Sequence, residues 1–256
     1  MVNILFVFFL IFGMVYSKEL TIRSEDGFIL KGFFDYPSEK KDKYPVIIFA
    51  HQFGTTHMIW SEFAKELRGK GYATLLIDLR GHGLSVMQNG KENRIIFNKN
   101  FSSLVDLISF FKKSNKKVNF SKIPEDIALW IDHIIENEKV DPNQIILIGA
   151  SLGATSIIPV VSMQDISAIV CISPGSPKIM GEENVKLSLS SYMNPSMFIS
   201  SLNDPVGSEK YSRYYMRISN NGTFLVVSGK GHGVVLLKKV KGYIFQFLKN
   251  IEKQVK

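Results

Sequence analysis

The stretch Ile145-Ile146-Leu147-Ile148-Gly149-Ala150-Ser151-Leu152-Gly153 decides the fold class of this chain of 256 residues. Its first four residues form a continuous apolar run, which is typical of a strand buried on both faces of a parallel sheet. The run leads directly into a G-x-S-x-G turn, and a helical segment follows. In that context the turn presents its serine hydroxyl at the sheet edge, and glycines avoid collisions in the tight turn. Ser151 is therefore a candidate nucleophile, with a helix-capping serine as the alternative.

The same pattern of a strand followed by a polar turn recurs on both sides of Ser151. Further strands are predicted at 19–23, 28–36, 44–50, 72–79, 168–172, 196–202 and 223–228, and helices at 60–70, 123–137, 209–218 and 234–251. This alternation implies right-handed crossovers and an α/β fold, with a mostly parallel, doubly wound sheet of about eight strands. The first two strands flank Asp26-Gly27 and predict an antiparallel N-terminal hairpin.

Composition excludes several classes of protein. Hydrophobic residues make up 45% of the chain and charged residues 21%, as in globular proteins. A single cysteine, Cys171, permits neither an intramolecular disulfide nor a cysteine zinc site, and no HExxH motif is present, so no metal or organic cofactor is expected. The formal net charge is +8, but acidic residues lie between the cations and no nucleic-acid-binding motif is present. We therefore expect no nucleic-acid partner.

The amino terminus has the features of a targeting segment. Residues 1–17 are uncharged, and residues 4–15 form an apolar run broken only by Gly13. That length suits a signal-peptide core and falls short of the about 20 residues of a membrane-spanning helix. We expect residues 1–17 to be a signal peptide, cleaved before Lys18, or an N-terminal anchor, with a buried first strand as the alternative. The protein would then be exported (secreted, periplasmic or envelope-anchored), with residues 18–256 as one domain and any membrane contact confined to an uncleaved anchor.

A serine nucleophile needs a histidine base and a carboxylate that orients the histidine. Of the five histidines, His232 is favoured because it follows a strand, lies between two glycines and comes late in the chain. Asp204 is the candidate acid, since it follows strand 196–202, just before the strand that leads to His232. Asp165 is the main rival, but it precedes a strand and is expected at the opposite edge of the sheet. Asp78 is interpreted as structural.

The reaction also needs two backbone N–H donors for the oxyanion of the tetrahedral intermediate. One is expected to be the amide of Leu152, helped by the positive end of the following helix. The other is expected in the loop after strand 44–50, on Phe53 or alternatively on Gln52. An ordinary strand-to-helix loop is the other interpretation of His51-Gln52-Phe53-Gly54.

Together these segments resemble the α/β-hydrolase family over nearly all of the chain from about Lys18. The matching segments are His51-Gln52-Phe53-Gly54, Asp78-Leu79-Arg80-Gly81-His82-Gly83-Leu84-Ser85, Gly149-Ala150-Ser151-Leu152-Gly153, Asn203-Asp204-Pro205 and Gly231-His232-Gly233. The chain looks most similar to small esterases and to dienelactone-hydrolase-like or acyl-peptidase-like members, which lack a large cap domain. One departure is Gln52, which stands where the family commonly has glycine and leaves the identity of the second oxyanion donor open.

The resemblance implies Ser151 as nucleophile, His232 as general base and Asp204 as the partner of His232. It implies a serine hydrolase, carboxylesterase-like, that cleaves a small-molecule acyl ester through an acyl-enzyme. A peptidase or thioesterase with the same triad is the alternative within catalysis, and a non-catalytic binding protein on a hydrolase scaffold is the alternative outside it. The sequence carries no indication of the oligomeric state.

The connection over residues 86–122 is longer than is usual in the family. Its apolar positions with helical spacing are Phe101, Leu104, Val105 and Ile108. We hypothesise that this segment is a partial lid that lines an acyl-binding cleft, and the alternative is a helix packed on the outside of the core. The segment between Gly175 and Pro195 is too short for a cap domain, so the site is expected to be fairly open.

Overall fold

The computed structural model describes residues 17–97 and 101–254. The expected signal peptide or anchor, apart from Ser17, lies outside the described residues. The strands are β1 (Lys18–Arg23), β2 (Phe28–Asp35), β3 (Tyr44–Ala50), β4 (Ala73–Ile77), β5 (Met87–Gln88), β6 (Lys91–Glu92), β7 (Val140–Ala150), β8 (Ala168–Ile172), β9 (Ser196–Ser201) and β10 (Gly222–Val227). The helices are α1 (Ser61–Arg68), α2 (Leu104–Val118), α3 (Ile123–Asn137), α4 (Leu152–Ser156), α5 (Glu182–Ser191), α6 (Ser208–Ile218) and α7 (Leu237–Gln254).

Within the described residues the ten strands form one sheet in the order β10-β9-β8-β7-β3-β4-β2-β5-β6, with β1 paired to β2. From β10 to β4 all neighbours are parallel, whereas β1, β4 and β5 pair with β2 in antiparallel register. The predicted mostly parallel sheet with an antiparallel N-terminal hairpin is therefore confirmed. Strands β5 and β6, of two residues each, are additions that the sequence pattern does not predict.

The apolar strands are buried because helices cover both faces of the sheet. On β3, Val46 and Ile48 face a core shared with α3, α4, α5 and α6, whereas Ile47 and Phe49 face a second core shared with α1 and α7. This two-sided burial is the reason that β3 reads as a continuous apolar run without alternation. Because the carboxyl ends of parallel strands meet at one edge, the loops after β3, β7, β9 and β10 lie on the same side of the molecule.

Helix α3 illustrates how local signals set the bounds of an element. Pro124 lies in its first turn with the acidic residues Glu125 and Asp126, where a missing N–H and negative charge are favourable. Its buried stripe includes Trp130 and Ile134. The predicted and observed bounds of this helix agree. Across residues 17–97 and 101–254, we find no helix with both the length and the apolar character that a membrane crossing demands.

Helix α2 forms where helical spacing is predicted, but its expected apolar stripe does not face the protein. Leu104, Val105 and Ile108 are 48%, 73% and 46% exposed. The face that packs instead carries Phe110 and Phe111, which lie against the core. Both faces have apolar residues at helical spacing, and the phenylalanine face is the one that packs because aromatic rings bury more area. The stripe of Leu104, Val105 and Ile108 is therefore the exposed face of α2.

Candidate active site

Ser151 occupies a strained turn between β7 and α4. Its φ of 50° and ψ of −110° lie in a region that residues with a side chain rarely adopt. Its amide donates to the carbonyl oxygen of Ile172 at 2.8 Å, which ties the turn to the neighbouring strand. A Cβ on Gly149 would lie 2.5 Å from the backbone carbon of Gly153, and a Cβ on Gly153 would lie 2.2 Å from the carbonyl oxygen of Ala50. Glycine at both positions is therefore a steric requirement of the turn.

The structure brings the side chains of Ser151, His232 and Asp204 into one hydrogen-bonded chain. The Nε2 atom of His232 lies 2.8 Å from the Oγ atom of Ser151. On the other side of the ring, Nδ1 lies 2.9 Å from Oδ2 and 3.1 Å from Oδ1 of Asp204. Because an ionised carboxylate only accepts, Nδ1 carries the proton and Nε2 is left free to accept the serine proton. This is the arrangement that a serine nucleophile requires.

The Asp204 carboxylate is held in its ionised form. Burial alone would raise its pKa, but the hydrogen bond and charge of His232, together with the amides of Val206 and Ser208, outweigh burial and hold the pKa below its usual value. The Val206 amide donates to Oδ1 at 2.9 Å. The buried hydroxyl of Ser208 lies 3.4 Å from Nδ1 of His232 and 3.2 Å from the Ser173 carbonyl. Sequence reasoning missed Ser208, whose only signal was a serine four residues after Asp204 at the start of a helix.

The two rival acids lie elsewhere or have other partners. Asp78 accepts the amide and Nδ1 of His57 and the amide of Leu84, so its carboxylate organises the loop after β4. Asp165 lies just before β8, at the opposite edge of the sheet, and lines a cavity of about 290 Å³ there. Neither carboxylate contacts His232 among the described hydrogen bonds.

The two expected oxyanion donors lie in the turn after Ser151 and in the loop after β3. Leu152 is the first residue of α4, and Phe53 lies in the loop after β3. Neither amide donates in any hydrogen bond recorded among residues 17–97 and 101–254, so both are available to a ligand. The side-chain Oε1 atom of Gln52 accepts a hydrogen bond from the Val234 amide at 3.1 Å. The side chain therefore points toward the loop that carries His232.

Two buried histidines support the loop that carries Phe53. The His51 Nε2 atom accepts from the Leu79 amide at 3.0 Å, and its Nδ1 lies 2.9 Å from the carbonyl oxygen of Gln52. His82 accepts from the Gly54 amide through Nε2 at 3.2 Å and donates through Nδ1 to the Arg80 carbonyl at 3.0 Å. Burial lowers the pKa of His51 to about 3 and that of His82 to about 4. Both imidazole rings are therefore neutral, and their hydrogen bonds hold the loop in place. The sequence did not predict this role.

Part of segment 86–122 packs on the same loop. The ring of Phe53 lies 5.0–5.8 Å, centroid to centroid, from four phenylalanine rings of this segment, which with Phe53 we call the Phe53 cluster: Phe97, Phe110, Phe111 and Phe120. Phe97 also lies where a side chain on Gly54 would be, 2.3 Å from a Cβ there. Helix α2 is therefore attached to the loop after β3. Residues 98–100 of the segment lie outside the described part of the chain.

The described residues contain no cluster of three His, Cys, Asp or Glu side chains that could hold a metal ion. A comparison with curated protein sequences finds no match.

Solved structures with the same fold are numerous. Est1E from Butyrivibrio proteoclasticus, solved with ferulic acid bound, is 18% identical with a TM-score of 0.64, over 89% of this chain and 98% of Est1E. The α/β hydrolase GrgF from Penicillium sp. sh18 is 15% identical with a TM-score of 0.68, over 93% and 98% of the two chains. The Pyrococcus furiosus esterase Pf2001 is 18% identical with a TM-score of 0.63, over 91% and 90%. At these identities the similarity shows the fold.

The family follows from the sequence itself. Residues 41–191, more than half of the chain, match the family model described as serine aminopeptidase, S33. The matched range contains the loop after β3, the turn at Ser151 and helix α2. The chain therefore belongs to this family of α/β hydrolases.

Proposed function

We propose that this protein is a serine hydrolase that cleaves carboxylic esters through an acyl-enzyme. The observation that carries the proposal is the unbroken chain of hydrogen bonds from Ser151 Oγ through His232 to Asp204. A core histidine or a capping serine would have no need of this arrangement. The chain of hydrogen bonds begins at Ser151, which lies in a strained turn. Backbone strain of this kind concentrates at functional sites.

The chemistry follows from which atoms accept and donate. His232 Nε2 takes the hydroxyl proton of Ser151 as Oγ attacks the ester carbonyl carbon, and Asp204 stabilises the imidazolium that forms. The amides of Leu152 and Phe53 donate to the oxyanion. The imidazolium then gives its proton to the departing alcohol, and an acyl group remains on Ser151. His232 next deprotonates a water molecule, which hydrolyses the acyl-enzyme and releases the acid.

The substrate we propose is a small-molecule acyl ester. Two of the solved structures with this fold are named as esterases or have ferulic acid bound, and the Phe53 cluster places apolar surface beside the proposed oxyanion loop. An amide is the second candidate for the cleaved bond, because the family model is described as a serine aminopeptidase. The same catalytic groups can act on esters and on amides.

Hydrolysis of p-nitrophenyl esters of graded acyl length tests the proposal, with an aminoacyl p-nitroanilide as the amide counterpart. We expect the wild-type protein to cleave the esters and Ser151→Ala to lose about 10⁶-fold in kcat, the loss seen when a triad nucleophile is removed. Ser190→Ala, a change at an exposed serine of α5, is the matched control and should keep full activity. Ester cleavage that survives in folded Ser151→Ala would refute the proposed nucleophile.

We also propose that the protein is exported, on the basis of the apolar, uncharged residues 1–17. Mass spectrometry of the protein recovered from the producing cell tests this proposal. We expect either a mature chain that begins at Lys18, outside the cytoplasm, or an uncleaved chain in the membrane fraction. A full-length chain in the soluble cytoplasm would contradict it.

A further inference from the structure

The side chain of Gln52 bridges the two loops on which the proposed reaction depends. Gln52 lies in the loop after β3, next to the proposed oxyanion donor Phe53. Its Oε1 atom accepts from the Val234 amide at 3.1 Å, and Val234 lies two residues beyond His232. A residue in the first half of the chain therefore holds the loop of the proposed base by a direct hydrogen bond.

The loop around His232 is shaped to receive this side chain. Gly233 has a φ of +64°, and a Cβ at this position would lie 2.0 Å from Oε1 of Gln52. Glycine thus meets two demands at once, since it adopts the left-handed conformation freely and leaves room for the amide. The close fit shows that the side-chain amide of Gln52 occupies a defined position against the loop that carries His232.

The hydrogen bond from the Val234 amide to Gln52 fixes the backbone on the C-terminal side of His232. Before the histidine, the hydroxyl of Ser201 donates to the Gly231 carbonyl at 2.7 Å. After it, the chain enters a single 3-10 turn over Gly233–Leu236, whose early amides have no partner within the turn. Gln52 satisfies the amide of Val234, so the backbone is fixed on both sides of the imidazole.

We propose that Gln52 is a positioning residue for His232, which keeps Nε2 at hydrogen-bonding distance from Ser151. This inference rests on the proposed function. It also assigns a role to the one position where the oxyanion loop departs from the glycine common in the family. In this chain the loop that carries the Phe53 amide and the loop that carries the base are coupled through one side chain, so displacement of either loop disturbs both.

Two substitutions separate the hydrogen bond from the volume of the side chain. Gln52→Met keeps the size and loses the acceptor, whereas Gln52→Glu keeps an oxygen that accepts from Val234. The Nε2 atom of Gln52 has no partner in the described hydrogen bonds, so the carboxylate breaks no existing contact.

We expect Gln52→Met to lower kcat about 10- to 100-fold on a p-nitrophenyl ester with KM within twofold of wild type, since small displacements of reacting groups cost that much. We expect Gln52→Glu, which keeps an oxygen to accept from the Val234 amide, to keep kcat within about threefold of wild type. A merely structural contact would lower the stability of Gln52→Met and leave the kcat of its folded fraction unchanged. The matched control is Gln164→Met, at the opposite edge of the sheet, which should resemble wild type.

The outcomes distinguish this inference from the proposed function. If wild type does not cleave the ester, the proposed function fails. If wild type is active and folded Gln52→Met has the same kcat, the positioning role is wrong. Should Gln52→Met fail to fold, Gln52→Ala takes its place because it also removes the acceptor, and wild-type kcat in folded Gln52→Ala would equally refute the positioning role.

Discussion

The strained conformation of Ser151 exists because its neighbours cannot relax it. Its amide is bonded to Ile172, and the glycines on either side lie against backbone atoms with no room for a methyl group. The hydroxyl is therefore held toward His232 by the backbone itself. Strain of this size, about 1–3 kcal/mol for one residue, persists only where the surroundings enforce it.

Gly153→Ala tests this steric account. The new Cβ would lie 2.2 Å from the carbonyl oxygen of Ala50, so β3 and the turn must separate. We expect the free energy of unfolding to fall by about 3 kcal/mol and the proposed ester hydrolysis to be lost. Urea unfolding at equilibrium measures the first effect, and steady-state rates measure the second.

The matched control is Gly242→Ala in α7, where no atom lies within 4 Å of the added Cβ. There the same change should raise the free energy of unfolding by about 0.5–1 kcal/mol, because alanine favours the helix. Equal effects at the two positions would show that the clash at Gly153 is relieved at little cost.

At the residue scale, the sequence predicted the site residues that directly follow strands. It did not predict those whose roles depend on contacts between distant parts of the chain. Ser151, Asp204 and His232 each lie just beyond an apolar run, and their side chains meet in the structure. The contact of Gln52 with Val234 joins residues 182 positions apart. No local pattern reports such a contact, so the sequence left Gln52 as an alternative oxyanion donor.

Helix α2 links the surface segment to the site through one face. Phe110 and Phe111 pack on Phe53, and the opposite face exposes Leu104, Val105 and Ile108. The role of the segment as a lid remains our proposal. Its attachment to Phe53 gives it a direct way to influence the proposed oxyanion donor.

Phe110→Ala is the test at this scale. Phe110 is half-buried and contacts three rings, those of Phe53, Phe97 and Phe101. Its loss should lower the free energy of unfolding by about 2 kcal/mol and also lower kcat, because the loop that carries Phe53 loosens. Val105→Ala, on the exposed face, should change stability by less than about 0.5 kcal/mol. If kcat is unchanged in Phe110→Ala, α2 does not support the oxyanion loop.

Elements with strong local signals were predictable, and elements set by packing were not. Helix α3 was predicted with its observed bounds because Pro124 and the acidic first turn mark its start. Strands β5 and β6 have two residues each and no periodicity to detect. For α2 the helix was predictable, but the choice between two apolar faces depended on where the rings of the Phe53 cluster meet.

At the scale of the whole molecule, one parallel sheet gathers groups that are far apart in the chain. Ser151 and His232 are separated by 81 residues and Asp204 and His232 by 28. The strands before all three are parallel, so their carboxyl ends converge. Beneath this edge the neutral rings of His51 and His82 connect the loops after β3 and β4. The same hydrogen bonds therefore hold the candidate site in place and stabilise the fold.

The buried histidines predict a pH dependence of stability. Burial lowers the pKa of His82 to about 4, whereas an unfolded chain protonates histidine near pH 6.5. Between these values the proton binds the unfolded state preferentially, so stability is complete above about pH 6.5 and falls as the pH drops toward 4. From pH 7 to pH 5 this one group should cost about 2 kcal/mol.

His82→Gln isolates that contribution, because glutamine can accept from Gly54 and donate to Arg80 without titrating. Urea unfolding at pH 7 and pH 5 should show a smaller loss in the variant than in wild type. Equal losses would mean that His82 is protonated in the folded protein, in conflict with its hydrogen bond from the Gly54 amide.

The central claim is that Ser151 is a nucleophile activated by His232. Labelling with a fluorophosphonate, followed by mass spectrometry of the peptides, measures this most directly. We expect wild type to gain one probe on the peptide that contains Ser151. We expect no label on folded Ser151→Ala. An unlabelled wild type, or a label that persists in Ser151→Ala, would contradict the claim.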